Sequence, residues 1–179
     1  SSISIIMGLL GSLRLARIFL DEKQSIFAVV TLSLCYYYNI ISTEFNENIL
    51  QIPLWSWYYY FLYRIFTRNN SLDLALYISI FSLLIYTKYS GFLVLLPTFI
   101  VFCKYFDYNI FKKLAIAAIV VLVIYLPHLD WLIKHDFITI KFFLIRGNIG
   151  SKYVLSAHLL KLLKYIGGVI LPMLFFVIT

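Results

Sequence analysis

The stretch LAIAAIVVLVIYLP, from Leu114 to Pro127, contains no charged residue and no glycine before its final proline. A helix needs about 20 apolar residues to cross a bilayer, and shorter runs are accommodated when the helix is tilted or packed inside a bundle. A proline cannot continue the hydrogen-bond ladder of a helix, so Pro127 predicts the helix end at the membrane interface. The stretch therefore predicts a transmembrane helix, and its surroundings decide how many others accompany it.

Six further apolar runs follow the same pattern. They are Ser1 to Leu20, Ser25 to Thr43, Ile49 to Phe66, Leu72 to Thr87, Ser90 to Phe106 and Tyr165 to Thr179. The 179-residue chain is 63% hydrophobic and only 13% charged, whereas a soluble domain is about 45–50% apolar and about 25% charged. A soluble protein of this size cannot cover so much apolar surface. The sequence predicts an all-α fold, a polytopic bundle of about six or seven transmembrane helices.

The charges between these runs predict how the chain crosses the membrane. Basic residues are concentrated in alternate connectors, and cytoplasmic loops carry the excess of Lys and Arg. This rule places the loops near 21–24, 67–71 and 104–113 in the cytoplasm and those near 44–48, 88–90 and 128–164 outside. The last of these segments is also basic, but long loops cross regardless of charge. The net charge of +7 is then explained by topology and anionic lipid, not by nucleic acid.

The chain ends give a further expectation about its extent. The sequence starts without methionine and stops within the apolar run from Phe175 to Thr179. We expect residues 1–179 to be one transmembrane domain taken from a longer protein. The two cysteines, Cys35 and Cys103, both lie in apolar runs, which favours buried free thiols over a disulfide or a metal pair.

Polar groups at the helix ends carry the chemistry, because none of the usual soluble-enzyme motifs is present. The chain has no GxGxxG, P-loop, HExxH or CxxC sequence. The segment from Glu44 to Asn48, which includes Asn46, is interpreted either as a helix cap or as a polar edge of a sugar site. Lys88, followed by Tyr89 between two short runs, is either a snorkelling anchor or a phosphate contact.

Two features of the outer segment bear on ligands. His128 and His135 lie near Asp130 and Asp136, so a divalent metal is conceivable, but their spacing fits no standard zinc pattern. An interfacial cluster satisfied by its own contacts is the stronger interpretation, and the sequence establishes no cofactor with certainty. Arg146, which is followed by a glycine-containing turn in this interpretation, offers a planar fork for phosphate or carboxylate.

Several of these stretches together resemble one family. They are Phe45 to Trp55, Leu84 to Ser90, Leu126 to Leu132, His135 to Phe137 and Arg146-Gly147. In this order they resemble bacterial relatives of the protein O-mannosyltransferases, which form glycosyltransferase family 39 in the broad sense and have a GT-C fold. The family includes the aminoarabinose and galacturonic acid transferases that modify lipopolysaccharide. The resemblance runs from about residue 12 to residue 148.

The resemblance implies a function and a location. It implies an inverting membrane glycosyltransferase, in the bacterial inner membrane, that moves a sugar from a polyprenyl-phosphate donor to a lipid, glycan or protein on the non-cytoplasmic side. In such enzymes an acidic residue of the first outer loop is the general base, and positive groups stabilise the departing phosphate. That loop, the first span and the C-terminal region are expected outside this chain, so the catalytic base is unknown here.

On the same resemblance, seven residues are expected in the substrate site. Lys88 and Arg146 are assigned to the phosphate, and the remaining residues are expected beside the substrate: Tyr89, Asn46, Asn48, His128 and Asp136. The alternative function is a polytopic transporter or lipid flippase, which would carry ionisable residues and broken helices near the bilayer midplane. Because the charges lie in connectors, the transferase is favoured over the transporter, and nothing specific supports a purely structural subunit.

Overall fold

A computed structural model describes residues 1–35, 38, 45–68 and 70–151, without the side chains of 143 and 146–151. Every regular element in those ranges is a helix, so the prediction of an all-α fold is confirmed for the described residues. The chain divides into two compact units, Ser1–Ile124 and Tyr125–Thr179. The α-helices are α1 Ser2–Ala16, α2 Glu22–Ser33, α3 Glu47–Thr67, α4 Ser71–Thr87, α5 Leu95–Lys104, α6 Tyr108–Lys134 and α7 Ile138–Ser151.

Several helix boundaries agree with the apolar runs and others differ. Helices α1, α3 and α4 lie where the sequence predicts them. Helix α2 ends at Ser33 instead of continuing to Thr43, and residues 39–44 lie outside the described residues. The run predicted from Ser90 to Phe106 is divided into a 3-10 helix, Tyr89–Val94, and helix α5. The last predicted run, Tyr165 to Thr179, also lies outside the described residues.

The predicted helix end at Pro127 is wrong, because Pro127 lies inside α6, which continues to Lys134. A proline inside an apolar helix is tolerated where neighbouring groups satisfy the carbonyl it leaves unpaired. The predicted outer loop at 128–164 is therefore not a loop in its described part. The chain from 128 to 151 consists of the end of α6, a short turn and α7.

That turn is a Schellman motif. The Phe137 amide donates to the Leu132 carbonyl at 2.8 Å, and the Asp136 amide donates to the Ile133 carbonyl at 3.3 Å. Asp136 has a φ of 52° and Phe137 a φ of 54°, and aspartate is among the few residues that enter this left-handed region readily. Asp136 thus takes the position that glycine usually fills at a helix end.

Helix α6 gives the clearest sign of membrane association. It is the one helix among the described residues that is long and apolar enough to cross a bilayer, with a mean hydropathy of 2.2 in its best window, of which 17% is buried. Ile119 is 62% exposed on this helix. A core helix of a soluble protein would bury such residues, so hydrocarbon is the medium that suits this surface.

Helix α1 packs closely on α3 through two glycines. A Cβ atom added to Gly8 would lie 2.5 Å from Ile52 Cγ2, and one added to Gly11 would lie 2.5 Å from Ser56 Oγ. Small residues spaced along one helix face let two backbones approach, which is the usual way membrane helices gain packing energy. The Trp57 indole N–H adds a hydrogen bond to the Met7 carbonyl at 2.9 Å.

Three buried hydroxyl groups connect α3, α4 and α5. Tyr58 Oη lies 2.9 Å from Tyr77 Oη and 2.8 Å from Thr98 Oγ1, and Thr98 donates to the Val94 carbonyl at 2.7 Å. A hydroxyl has a single proton, so Thr98 accepts from Tyr58, and Tyr58 accepts from Tyr77. The proton directions of the whole chain are therefore fixed, and each tyrosine donates once.

Charged groups join the end of α3 to the start of α4. Arg64 Nε lies 3.0 Å from Asp73 Oδ1, and the Asp73 carboxylate is almost completely buried. Lys113 of α6 donates to the Ile65 and Arg68 carbonyls at 3.2 and 3.1 Å. A cation at these carbonyls satisfies acceptors that a helix end leaves unpaired and suits the helix dipole.

Neither cysteine forms a disulfide, but the prediction that both are buried is wrong for Cys103, which is exposed, and Cys35 is half-buried. On α5, Thr98 and Phe102 point to the neighbouring helices. Cys103 follows Phe102 directly, so it points away from that packed face.

We predict that Tyr58→Phe destabilises the helix bundle. The substitution leaves the hydroxyls of Tyr77 and Thr98 without the partner between them, and an unsatisfied buried group costs about 1–3 kcal/mol. Thermal unfolding in detergent micelles measures the loss. Tyr63→Phe on the exposed side of α3 is the matched control. Equal melting temperatures for the two variants would contradict a stabilising role for the hydroxyl chain.

Candidate functional site

The start of α3 and the end of α4 lie side by side because these two helices form an antiparallel pair. Polar residues of both helix ends meet there, and we call this group the Lys88 cluster. Its members are Asn46, Glu47, Asn48, Gln51, Lys88 and Ser90. In sequence the group is split between residues 46–51 and 88–90, so only the pairing of the helices brings it together.

Lys88 is the central cation of the cluster. It ends α4 with extended backbone geometry, and its Nζ donates to Asn48 Oδ1 at 2.7 Å. Glu47 Oε1 lies 3.6 Å from the same Nζ, a contact longer than a hydrogen bond. The Lys88 side chain is 40% exposed. An ammonium group has three N–H donors, so the hydrogen bond to Asn48 leaves capacity for an anionic ligand.

A second pair lies beside the first. Ser90 donates from Oγ to Gln51 Oε1 at 3.2 Å, and Gln51 Nε2 is buried without a hydrogen-bond acceptor among the described residues. Gln51 follows Asn48 by three positions and so lies on the same face of α3. The two contacts together hold the segment after α4 against the first turns of α3.

Gly91 allows this close return of the chain. A Cβ atom at Gly91 would lie 2.6 Å from the Leu84 carbonyl oxygen, and the Gly91 amide donates to the Lys88 carbonyl at 2.9 Å. Any larger residue would move the backbone that carries Lys88 and Ser90. The sequence interpretation did not assign Gly91, Gln51 or Ser90 to the site, because their role depends on contacts between separate helices.

Asn46 has the structural role that the sequence left open. It is the N-cap of α3, and its Oδ1 accepts from the amides of Asn48 and Ile49 at 3.0 and 3.2 Å. The cap holds the first turn in which Asn48 lies, so Asn46 supports the cluster through the backbone. Tyr89 begins the 3-10 helix beside Lys88 and is partly exposed.

The second unit contains His128 and Asp136. His128 stacks with Trp131 at a centroid distance of 5.8 Å, and Trp131 stacks with His135 at 4.5 Å. Lys134 pairs with Asp130 at 2.6 Å. Within residues 1–35, 38, 45–68 and 70–151, no group of three histidine, cysteine or acidic side chains could hold a metal ion. These residues form a stack and an ion pair along the end of α6.

Arg146 lies in α7, and its side chain is outside the described residues. The glycine-containing turn expected after it is wrong as far as Ser151, because α7 includes Gly147 and Gly150. Glycine weakens a helix by only about 1 kcal/mol, so the preceding apolar turns can carry the helix through both positions.

Comparison with known proteins gives one match. The family model for dolichyl-phosphate-mannose-protein mannosyltransferases matches residues 2–131, which include the Lys88 cluster and His128. No curated protein and no solved structure matches the chain. The resemblance drawn from the sequence is thus confirmed at the level of the family. The chain belongs to the dolichyl-phosphate-mannose-protein mannosyltransferase family, whose members are membrane glycosyltransferases.

Proposed function

We propose that the Lys88 cluster binds the phosphate of a polyprenyl-phosphate sugar, from which the protein transfers the sugar to an acceptor outside the cytoplasm. The observation that carries this proposal is the position of Lys88, which Asn48 holds at 2.7 Å while the side chain remains 40% exposed. A held and accessible ammonium group is a suitable point-charge contact for a phosphate.

The transfer requires a cation at the leaving group. The acceptor hydroxyl oxygen attacks the anomeric carbon, the bond from that carbon to the phosphate oxygen breaks, and the configuration inverts. A general base takes the hydroxyl proton, and negative charge collects on the departing phosphate. Lys88 would stabilise that charge, and its hydrogen bond to Asn48 places the ammonium before the reaction starts.

None of the described acidic residues is proposed as the base. Asp73 pairs with Arg64 in a buried site, and Asp130 pairs with Lys134. Glu47 lies beside Lys88, the cation that would bind the phosphate, and its carboxylate partly offsets the positive charge of that lysine. The base is expected on another part of the protein, as the resemblance implies.

The remaining assignments keep the form of predictions. Arg146 is expected as a second phosphate contact, and His128 and Asp136 are expected near the substrate cavity. The acceptor is a lipid, a glycan or a protein. The family match supports a transferase over a transporter or flippase. The location proposed is the bacterial inner membrane, with several spans.

The length of α3 suits a further span, although among the described helices only α6 is also apolar enough to cross a bilayer. Its 21 residues rise about 30 Å at 1.5 Å per residue, which is close to the thickness of the hydrocarbon core. Asn46 and Lys88 lie at one end, and Arg64, Arg68 and Lys113 lie at the other. The excess of basic groups at the second end favours its cytoplasmic location.

We expect Lys88→Met to reduce transfer from radiolabelled polyprenyl-phosphate sugars in membranes that contain the full-length protein. Loss of a hydrogen bond to a charged group costs about 1.5–3 kcal/mol, so kcat/KM for the donor should fall roughly 10-fold to 100-fold. Lys23→Met, on the predicted cytoplasmic side, is the matched control. Arg146→Ala is tested in the same assay and should raise KM or lower kcat. A change below about twofold for Lys88→Met would remove it from the site.

Sidedness is tested by cysteine labelling in a background without Cys35 and Cys103. Phe45→Cys marks the end of α3 that carries the Lys88 cluster, and Arg68→Cys marks the other end. Both positions are exposed. Phe45→Cys should react with a membrane-impermeant maleimide on intact spheroplasts, whereas Arg68→Cys should react only after lysis. The reverse pattern would place the cluster in the cytoplasm and contradict the proposed donor site.

A further inference from the structure

A groove lies between α4, α5 and α6, well away from the Lys88 cluster. Its volume is about 340 Å³, and apolar side chains dominate its walls. The lining includes Phe81, Thr98, Phe102, Phe111, Ala115 and Ala118. Because α6 presents alanines where its neighbours present aromatic rings, the helices leave a space that their own side chains do not fill.

The two hydroxyl groups that line the groove have no free proton to donate to a ligand. Thr98 donates to the Val94 carbonyl and accepts from Tyr58, while Tyr77 donates to Tyr58. The two hydroxyl residues on the groove wall are therefore engaged in the buried chain. An apolar cavity does not hold water, because water needs two to four polar partners. A sugar or another polar ligand would also lose its hydrogen bonds there.

The groove is open at the side, towards the surface that faces hydrocarbon. Phe99 of α5 is 64% exposed, and Ala118 of α6 is exposed. Both residues line the groove. An unfilled space forfeits the dispersion contacts of its walls. In a bilayer, the groove is thus continuous with the lipid-facing surface of α6 and accessible to a hydrocarbon chain.

Two lysines lie at one end of the groove. Phe102 and Phe111 close this end with ring centroids 6.2 Å apart. Lys104 is the last residue of α5, two positions after Phe102, and Lys112 follows Phe111 in the second turn of α6. Lys104 Nζ lies 5.2 Å from the centre of the Tyr105 ring, and Lys112 Nζ lies 4.5 Å from that of Tyr108. The aromatic rings hold both ammonium groups near the level at which tyrosines meet lipid headgroups.

The other charged side chains near these two lysines already have hydrogen-bond partners. Asp107 accepts from the Asn109 and Ile110 amides at 2.7 and 3.1 Å and so caps α6, and Lys113 donates to the end of α3. Among the described residues, neither Lys104 nor Lys112 pairs with a carboxylate. The end of α5 and the start of α6 therefore present two cations beside an apolar groove.

We propose that this groove binds one acyl chain of an anionic phospholipid, whose phosphate contacts Lys104 and Lys112. The apolar walls select a hydrocarbon chain, and the two ammonium groups select a negative headgroup over a zwitterionic one. The site is separate from the donor site, since Phe81, the lining residue of α4 nearer to Lys88, still lies about two helical turns from it. It requires only that the chain lies in a bilayer.

The test uses the full-length protein in phosphatidylcholine vesicles that contain a trace of phosphatidylglycerol with a photoactivatable acyl chain. Mass spectrometry maps the adducts, which we expect on groove residues of α5 and α6. A phosphatidylcholine probe of the same chain length is the headgroup control. Groove adducts from the charged probe should be about thirtyfold more abundant than those from the control probe, because each lysine near an anionic headgroup contributes roughly fivefold. The double variant Lys104→Gln with Lys112→Gln should remove this difference.

Two variants distinguish labelling inside the groove from labelling by lipid at the general protein surface. Ala115→Phe with Ala118→Phe should fill the space and suppress the groove adducts, whereas Ile119→Phe, on the exposed face of α6, should not. Equal labelling by both probes would show bulk lipid only and overturn the proposal. Absence of adducts from either probe would mean that protein covers the groove, and adducts that persist in the filled variant would place the lipid elsewhere. Donor transfer is not measured here, so failure of either proposal leaves the other testable.

Discussion

The antiparallel register of α3 and α4 is the constraint on which the described structure depends. Arg64 meets Asp73, Tyr58 meets Tyr77, and Asn48 meets Lys88. The two helices thus run in opposite directions, joined by an ion pair, a contact between two hydroxyls and a hydrogen bond from an ammonium group to an amide oxygen. In hydrocarbon, water cannot satisfy a polar group that loses its partner. A shift of one helical turn would break all three contacts together, so the register is well specified.

Some elements could be predicted from the sequence because hydrophobicity alone determines them. Helices α1, α3 and α4 follow apolar runs bounded by charges or turn residues. The end of α6 could not be predicted in this way, since Pro127 breaks a helix only where its missing hydrogen bond is not compensated. The turn at Asp136 could not be predicted either, because aspartate instead of glycine occupies the left-handed position. Neither the continuation of α6 past Pro127 nor the left-handed conformation of Asp136 is encoded by the hydrophobic pattern.

The residues of the candidate site could be predicted singly, but their grouping could not, because the contacts join two helices. Sequence indicated Lys88 and Asn48 as separate polar groups, but it could not decide between an anchor and a ligand contact. The structure brings the two residues within 2.7 Å across two helices, a contact that only the register determines, and the phosphate contact stays a prediction. Asn46 was correctly interpreted as one of two possibilities, and it is the cap. His128 stacks with an aromatic ring in the second unit, a contact that its spacing from Trp131 along one helix face allowed but did not require.

The basic residues of the first unit make different kinds of contact at the two ends of the α3–α4 pair. At the end that carries Arg64 and Lys113, the cations pair with Asp73 and with backbone carbonyls, so their charge is used to join helices. Lys88 instead contacts a neutral amide and lies near Glu47 only at 3.6 Å. A cation that is held by a neutral group keeps more of its field for a ligand than one that is neutralised by a buried carboxylate. The same reasoning applies to Lys104 and Lys112, which rest on tyrosine rings. Because these lysines and Lys88 lie near opposite ends of the helices, a lipid-linked donor and an anionic phospholipid would be bound in different leaflets without competing.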